Sequence, residues 1–233
     1  MTFLEHLEEL RKRILYSLVA LCVAAFAGFF FSQRVIDLLT RPVPNLVFLA
    51  PAEAFVVQLK VALVVGAFLA APVLFYEFWR FVRPALMSHE VKYVTWAVVV
   101  SSVLFAAGVA FAYLVVVPLA MRFLLSFQTP KLQAMISISE YVGTVSAFLF
   151  ACGIVFQLPV IMFFLTKLGV VTPRLLWKNQ RAAIVIIAIA AAILSPPDVF
   201  SMVLMGIPLL ILFELSIVGS VLAGGRKKVA LDT

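Results

Sequence analysis

The sequence predicts an all-α membrane protein with six transmembrane helices in a curved, cupped bundle, with both termini in the cytoplasm. Three observations support this prediction: the composition, the lengths of the apolar segments and the distribution of Lys and Arg. Hydrophobic residues make up 65% of the 233 residues and charged residues only 12%, against about 45–50% and about 25% in soluble domains. A soluble core cannot bury that much apolar surface, so lipid must surround much of the chain. We expect one transmembrane domain over residues 1–233, because no polar stretch is long enough to fold separately.

The first thirteen residues predict a helix of a different kind from the membrane spans. Thr2 and Glu5 have the spacing of a capping box, and Phe3, Leu7 and Leu10 recur at helical spacing opposite a charged side. A helix with one apolar and one charged side is suited to a membrane surface. We therefore expect residues 1–13 to form an amphipathic helix at the cytoplasmic interface.

Six apolar segments follow along the chain. A span needs about 20 apolar residues at a rise of about 1.5 Å each. The segments that reach or approach this length are about 14–31, 54–78, 93–117, 141–166, 182–195 and 199–222. The fifth is short, and the turn Pro196-Pro197-Asp198 follows it because Pro cannot continue a helix. The last two spans therefore predict a short hairpin with its turn at the outer face.

Four prolines predict that several helices are bent. Pro72, Pro118, Pro159 and Pro208 lie within or at the ends of apolar segments. Each proline removes one backbone hydrogen bond of its helix. Bent helices together with one short hairpin favour a cupped bundle over a straight one.

The distribution of Lys and Arg predicts the orientation. With the N-terminus inside, thirteen of these residues fall on the cytoplasmic side and four on the opposite side. The thirteen are Arg11, Lys12, Arg13, Arg80, Arg83, Lys92, Lys167, Arg174, Lys178, Arg181, Arg226, Lys227 and Lys228. The four are Arg34, Arg41, Arg122 and Lys131. An even number of spans then brings the C-terminus back to the cytoplasm.

No motif in the sequence indicates catalysis, a metal or a cofactor. His6 and His89 both lie at predicted cytoplasmic edges, and there is no Gly-x-Ser-x-Gly or Walker-type phosphate loop. Cys22 and Cys152 lack metal-ligand spacing and lie in apolar runs, where they pack as small residues. The basic residues occur in short clusters between spans, which does not favour nucleic-acid binding. An intramembrane hydrolase lacks any nucleophile–base pair.

Carboxylates gather at the basic cytoplasmic edge, and they allow two interpretations. The acidic residues at this edge are Glu5, Glu8, Glu9, Glu77 and Glu90. Carboxylates can bind guanidinium groups through paired charge-assisted hydrogen bonds. Alternatively, Glu8 with Lys12 and Glu9 with Arg13 have the i,i+4 spacing of helix-surface ion pairs. The sequence alone leaves both interpretations open.

Polar residues inside spans are costly and often functional. Gln157 lies in a span beside Pro159, where it could bond a carbonyl that the proline frees or face a polar cavity. Glu214 lies in the last span, nearer the cytoplasm. An alternative function is therefore a small-solute secondary transporter with Gln157 and Glu214 at a midplane site. The sequence has no internal repeat, so the plan common in such transporters has no support.

Several motifs together resemble the TatC family, the receptor subunit of the twin-arginine protein translocase. Residues 6–13 (HLEELRKR) are similar to its N-terminal signature, and residues 81–86 (FVRPAL) with His89-Glu90 to its first cytoplasmic loop. Residues 156–159 (FQLP) and 195–201 (SPPDVFS), with Ile207-Pro208 and Phe213-Glu214, are similar to later parts of the family. The matches occur in order from residue 6 to residue 214.

The resemblance implies a non-enzymatic receptor without cofactor in the bacterial or archaeal cytoplasmic membrane. It implies that twin-arginine signal peptides of folded cargo dock at Glu9 and Glu90, on a surface with Arg11, Phe81, Pro84 and Leu86. Glu8 keeps the surface-pair interpretation. Implied partners are single-span TatA-like and TatB-like subunits, membrane lipids and further copies of the chain, with energy from the proton-motive force. Two positions depart from the family: Gln157, where Glu is common, and Met202, where Gln is expected.

Overall fold

A computed structural model describes residues 3–43, 46–85, 92–129, 135–194 and 199–224. Nine α-helices and two short strands account for most of these residues. The helices are α1 (Phe3–Thr40), α2 (Glu53–Val82), α3 (Lys92–Phe111), α4 (Val117–Leu125), α5 (Ile138–Val155), α6 (Leu158–Lys167), α7 (Pro173–Lys178), α8 (Gln180–Leu194) and α9 (Val199–Gly224). The strands β1 (Leu46–Val47) and β2 (Ile136–Ser137) pair in parallel, with Leu46 opposite Ile136.

The first four predicted spans are confirmed as long apolar helical segments. These are Leu4–Thr40, Glu53–Val82, Val94–Leu125 and Ile138–Lys167. Of the two later apolar helices only α8 is short, since α9 has 26 residues from Val199 to Gly224. Helix α8 has 15 residues, about 22 Å of helix against a hydrocarbon core of about 30 Å. The predicted turn at Pro196, Pro197 and Asp198 lies outside the described residues.

Helix α1 has no break at residue 13, where the sequence predicts the end of an interfacial helix and the start of the first span. It runs unbroken for 38 residues from Phe3 to Thr40, which corresponds to about 57 Å. No proline occurs within it, so every interior residue can keep its backbone hydrogen bond. Residues 3–13 are therefore continuous with the first apolar segment, and their position at the cytoplasmic interface stays a prediction.

Two of the four prolines interrupt regular helix. A proline removes the hydrogen bond to the carbonyl four residues earlier, which is Leu114 for Pro118 and Val155 for Pro159. The chain forms a π-helical segment at Ala112–Val116, a common way to accommodate such a lost bond. Helix α5 ends at Val155 and α6 begins at Leu158. Pro72 and Pro208 lie inside the unbroken helices α2 and α9.

The described residues fall into two compact units, drawn from 1–106 with 121–147 and from 107–120 with 148–233. In the first unit, α1 and α2 approach closely at two glycines. A Cβ on Gly66 would lie 2.5 Å from the backbone nitrogen of Ala25, and one on Gly28 would lie 2.7 Å from the carbonyl oxygen of Ala62. Small residues allow such contact between membrane helices. The single domain predicted over residues 1–233 stays a prediction.

In the second unit, α6 and α9 pack through buried hydroxyl groups. The Oγ1 atom of Thr166 lies 2.6 Å from the Oγ of Ser220, and Ser216 donates to the carbonyl of Leu212. These bonds satisfy polar groups that would otherwise be costly inside a membrane helix pair. Gly108 lies against Cys152, whose carbonyl oxygen would be 2.6 Å from an added Cβ.

Candidate functional site

The guanidinium of Arg13 lies between two carboxylates where α1 meets the last turns of α2. Its Nη2 donates to Oε1 of Glu9, one turn earlier on α1, over 3.1 Å. Its Nη1 donates to Oε2 of Glu77 on α2 over 2.8 Å. Glu9, Arg13 and Glu77 are called the Arg13 cluster below. One cation thus joins two acids that are far apart in sequence.

The Arg13 cluster is largely buried but incompletely paired. The side chains of Arg13, Glu9 and Glu77 are only 14%, 19% and 10% exposed. Charges buried to this extent are costly unless they are paired and hydrogen-bonded. Yet Oε2 of Glu9 and Nε of Arg13 are buried without a hydrogen-bond partner among the described residues. The cluster therefore keeps one acceptor and one donor unused.

One local spacing and one pair of packed helices bring the cluster together. Glu9 and Arg13 are four residues apart, which places them on one face of α1. Helices α1 and α2 pack against each other, with close contact at Gly28 and Gly66, and further along the same pair Glu77 lies 2.8 Å from Arg13. A second contact joins the same parts of the two helices, since the rings of His6 and Phe81 stack with centroids 4.4 Å apart.

An apolar groove adjoins the cluster in the same unit. It has a volume of about 340 Å³, and its walls come from α1 and α2. Its polar lining residues are Arg13, Glu77 and Ser17, and the apolar ones are Leu10, Ile14, Leu18, Leu21, Leu74, Phe78 and Phe81. The arrangement offers an apolar surface that begins beside charged groups. It can therefore accommodate a ligand that combines an apolar part with a charged one.

The structure brings together some of the residues that the sequence analysis assigned to signal-peptide binding. Glu9 lies in the Arg13 cluster, and Phe81 lines the groove and stacks on His6. Arg11 on α1 and Pro84 in the 3-10 turn Arg83–Ala85 are both exposed. Leu86 and Glu90 lie outside the described residues. Any proximity between Glu9 and Glu90 therefore stays a prediction.

Glu77 is the member of the cluster that the sequence analysis did not select. It is one of the five acids at the predicted cytoplasmic edge, and no motif distinguishes it from the others. Its one sequence signal is a carboxylate near the end of an apolar span, four residues before Phe81. The Glu9–Arg13 ion pair, one of the two interpretations left open above, does form. Glu8 and Lys12 are exposed.

Gln157 and Glu214, both in the second unit, have different environments. Gln157 is buried and precedes α6. Its backbone N–H bonds to Ile154 O, and its side-chain Nε2 donates to Gly153 O over 3.4 Å. Glu214 is exposed on α9 and accepts a hydrogen bond from Gln180 over 3.4 Å. An exposed carboxylate with this partner gives no support to a buried midplane solute site.

A second carboxylate centre lies at the other end of α2 and was not predicted. Glu53 accepts hydrogen bonds from the backbone N–H groups of Leu49, Ala50 and Ser139 and from the hydroxyl of Ser137. Lys60 donates to the hydroxyl of Ser139 over 2.7 Å. Glu53 and its four donor residues are called the Glu53 cluster below. It ties the loop before α2 to β2 and the start of α5.

Comparison with known proteins finds similarity over nearly the whole chain. The family model of the Sec-independent protein translocase protein (TatC) matches residues 5–208. The protein TatC of Desulforapulum autotrophicum is 41% identical over 232 residues, covering 97% of this chain and 86% of that protein. TatC of Aquifex aeolicus is 39% identical, covering 98% of each chain. A crystal structure of the twin-arginine translocase receptor TatC superposes with a TM-score of 0.83 at 38% identity, covering 94% of this chain and 99% of that one.

Proposed function

The chain belongs to the TatC family of Sec-independent protein translocase proteins, and on this premise we propose that it is a receptor for twin-arginine signal peptides. The observation that carries the proposal is the Arg13 cluster. It holds a buried carboxylate oxygen of Glu9 that has no partner among the described residues. An apolar groove adjoins it. An acceptor for a guanidinium beside an apolar surface corresponds to a peptide in which apolar residues follow arginines.

The chemistry favours arginine over lysine. A guanidinium is planar and can donate two parallel hydrogen bonds to the two oxygens of one carboxylate. Glu9 offers Oε1, now held by Arg13, and the unused Oε2. A lysine ammonium is a point charge and cannot match both oxygens in one plane. We propose Glu90 as the carboxylate for the second arginine, with Arg11, Phe81, Pro84 and Leu86 on the surrounding surface.

The wider setting of the proposal follows from family membership and from the basic residues at one edge. The chain is a multi-pass membrane protein, and we propose that it lies in the cytoplasmic membrane of a bacterium or archaeon with both termini inside. Single-span TatA-like and TatB-like subunits would bind its exposed apolar helix faces, with the exposed Glu214 as a polar contact. Gln157 is buried, so its proposed contact to a partner helix would require α5 and α6 to move apart locally. It would catalyse no reaction itself. A membrane potential of 100 mV supplies about 2.3 kcal/mol per charge, so export of folded cargo would use several charges.

Photo-crosslinking of a twin-arginine signal peptide to membranes that carry the full chain tests the docking assignment. We expect Glu9→Ala and Glu90→Ala each to reduce the yield strongly. The matched control is Glu8→Ala, which removes an exposed carboxylate adjacent to Glu9 on the same helix and should leave the yield unchanged. Full yield with both Glu9→Ala and Glu90→Ala would overturn the assignment. A parallel assay of folded-reporter export tests whether docking leads to transport.

A further inference from the structure

We propose that Arg13 is an internal competitor for Glu9, and that Glu77 is a positioning residue that holds Arg13 and so frees Glu9 for an incoming guanidinium. The inference rests on the proposed signal-peptide function. It adds that Arg13 neutralises Glu9 as long as no peptide is bound. In the empty receptor, Arg13 occupies the place that a signal arginine would take. When the peptide arrives, Arg13 stays with Glu77 and releases Glu9.

The geometry of the cluster indicates such an exchange. Arg13 makes one N–H···O contact with each acid, of 3.1 Å to Glu9 and 2.8 Å to Glu77. Neither contact is a paired fork, since Oε2 of Glu9 and Nε of Arg13 have no partner among the described residues. A peptide guanidinium that pairs with both oxygens of Glu9 would make a better bond than Arg13 does. The shorter contact to Glu77 would keep Arg13 in place during the exchange.

The charge balance of the cluster favours the same conclusion. Two carboxylates and one guanidinium give a net charge of −1 in a largely buried setting. An added guanidinium would bring the cluster to neutrality with two ion pairs, Arg13 with Glu77 and the peptide arginine with Glu9. Without Arg13, two buried carboxylates would face each other unpaired, which is costly. Without Glu77, Arg13 would pair with Glu9 alone. An incoming guanidinium would then have to displace Arg13 from Glu9 and leave it without any carboxylate partner.

A double-mutant cycle tests the inference. The full-length protein in lipid nanodiscs is titrated with a fluorescent twin-arginine signal peptide, and binding is followed by anisotropy. We expect Glu77→Gln to weaken binding about tenfold, because Arg13 then competes at full strength for Glu9. Arg13→Gln should strengthen binding. In the Arg13→Gln background, Glu77→Gln should change affinity by no more than about twofold, because the competitor is gone.

Several outcomes would overturn the inference. An unchanged affinity in Glu77→Gln would do so. Equal weakening by Glu77→Gln in both backgrounds would show that Glu77 binds the peptide directly. Recovery of affinity in the double variant relative to Glu77→Gln supports it, because a merely structural role for Glu77 would not be rescued by removing Arg13. The control Lys12→Gln removes an exposed charge adjacent to Arg13. It should leave the peptide affinity unchanged, both in the unaltered protein and in the Arg13→Gln background.

Two further variants keep the result interpretable. If Glu9→Gln leaves peptide binding unchanged, the proposed function itself fails. If Glu9→Gln weakens binding but the effects of Arg13→Gln and Glu77→Gln are independent of each other, only the present inference fails. If Arg13→Gln does not fold, Arg13→Lys takes its place, since it keeps the charge but not the planar fork. Arg13→Lys should bind the peptide more tightly than the unaltered protein, and weaker binding would overturn the proposal.

Discussion

The two ends of α2 carry two carboxylate centres of opposite character. Glu53 and Glu77 are 24 positions apart, which corresponds to about 36 Å of helix and exceeds a hydrocarbon core of about 30 Å. In the Glu53 cluster, all four donors to the carboxylate are neutral, and three of them are backbone N–H groups. In the Arg13 cluster, the donor to both acids is one long cationic side chain.

The difference shows that the partners of a carboxylate indicate its role better than the carboxylate itself. Both oxygens of Glu53 accept hydrogen bonds, from the loop before α2, from β2 and from the start of α5. Glu53 therefore links these three backbone segments. Oε2 of Glu9 is buried without a partner in the described part of the chain, and Oε1 shares the guanidinium of Arg13 with Glu77. A side-chain cation can move to another partner, whereas a backbone N–H at the start of a helix cannot. The Glu53 cluster is therefore expected to govern stability and the Arg13 cluster to govern binding.

The largest expected effect comes from separating α1 from α2, because the Arg13 cluster depends on their contact. Gly66→Ala places a Cβ 2.5 Å from the backbone nitrogen of Ala25, and a backbone atom cannot move aside as a flexible side chain can. We expect a loss of about 3 kcal/mol or more, together with loss of peptide binding. Thermal unfolding of the detergent-solubilised protein measures the change. The matched control is Gly143→Ala, whose Cβ would meet nothing within 4 Å; equal midpoints for the two variants would contradict the prediction.

The next effect is confined to binding. Glu9→Ala removes the carboxylate that offers the unused oxygen, and Arg13 keeps its contact to Glu77. We expect the affinity for a twin-arginine peptide to fall about 10- to 100-fold, the range of one charge-assisted hydrogen-bonded pair. Anisotropy titration in nanodiscs measures it. A large decrease in the unfolding midpoint with unchanged affinity would assign Glu9 to structure instead.

A smaller effect is expected when the peptide is changed and the protein is not. Replacing the two arginines of the signal by lysines keeps the charge but removes the fork geometry. We expect binding to weaken about tenfold. The same titration measures it, with a peptide that carries two glutamines as the uncharged reference. Equal affinity for arginine and lysine peptides would show that the site senses charge alone.

The smallest expected effect is on the other cluster. Ser137→Ala removes one neutral donor to Glu53, while the three backbone donors remain. We expect the unfolding midpoint to fall by about 2–4 °C and the peptide affinity to stay the same. Differential scanning fluorimetry beside the titration measures both quantities. A change in affinity would show that the two ends of α2 are coupled.

Different parts of the molecule were predictable from the sequence to different degrees. The long apolar helices follow from composition, and the placement of Glu9 and Phe81 follows from motifs. Glu77 was missed because its role depends on the approach of α1 to α2 at Gly28 and Gly66, which no periodicity within α2 reveals. Glu53 was missed because its donor Ser137 is 84 residues away. The charged first turns of α1 predict a surface helix, and the structure adds that they continue without a break into the first apolar segment.

The most direct measurement exchanges one oxygen for an amide nitrogen in each cluster. Glu9→Gln and Glu53→Gln are compared in the full-length protein for peptide affinity and for unfolding midpoint. We predict that Glu9→Gln lowers affinity at least about tenfold with little change in midpoint, and that Glu53→Gln lowers the midpoint with little change in affinity. The assignment of binding to the Arg13 cluster and of stability to the Glu53 cluster would be contradicted if Glu53→Gln weakened peptide binding as much as Glu9→Gln.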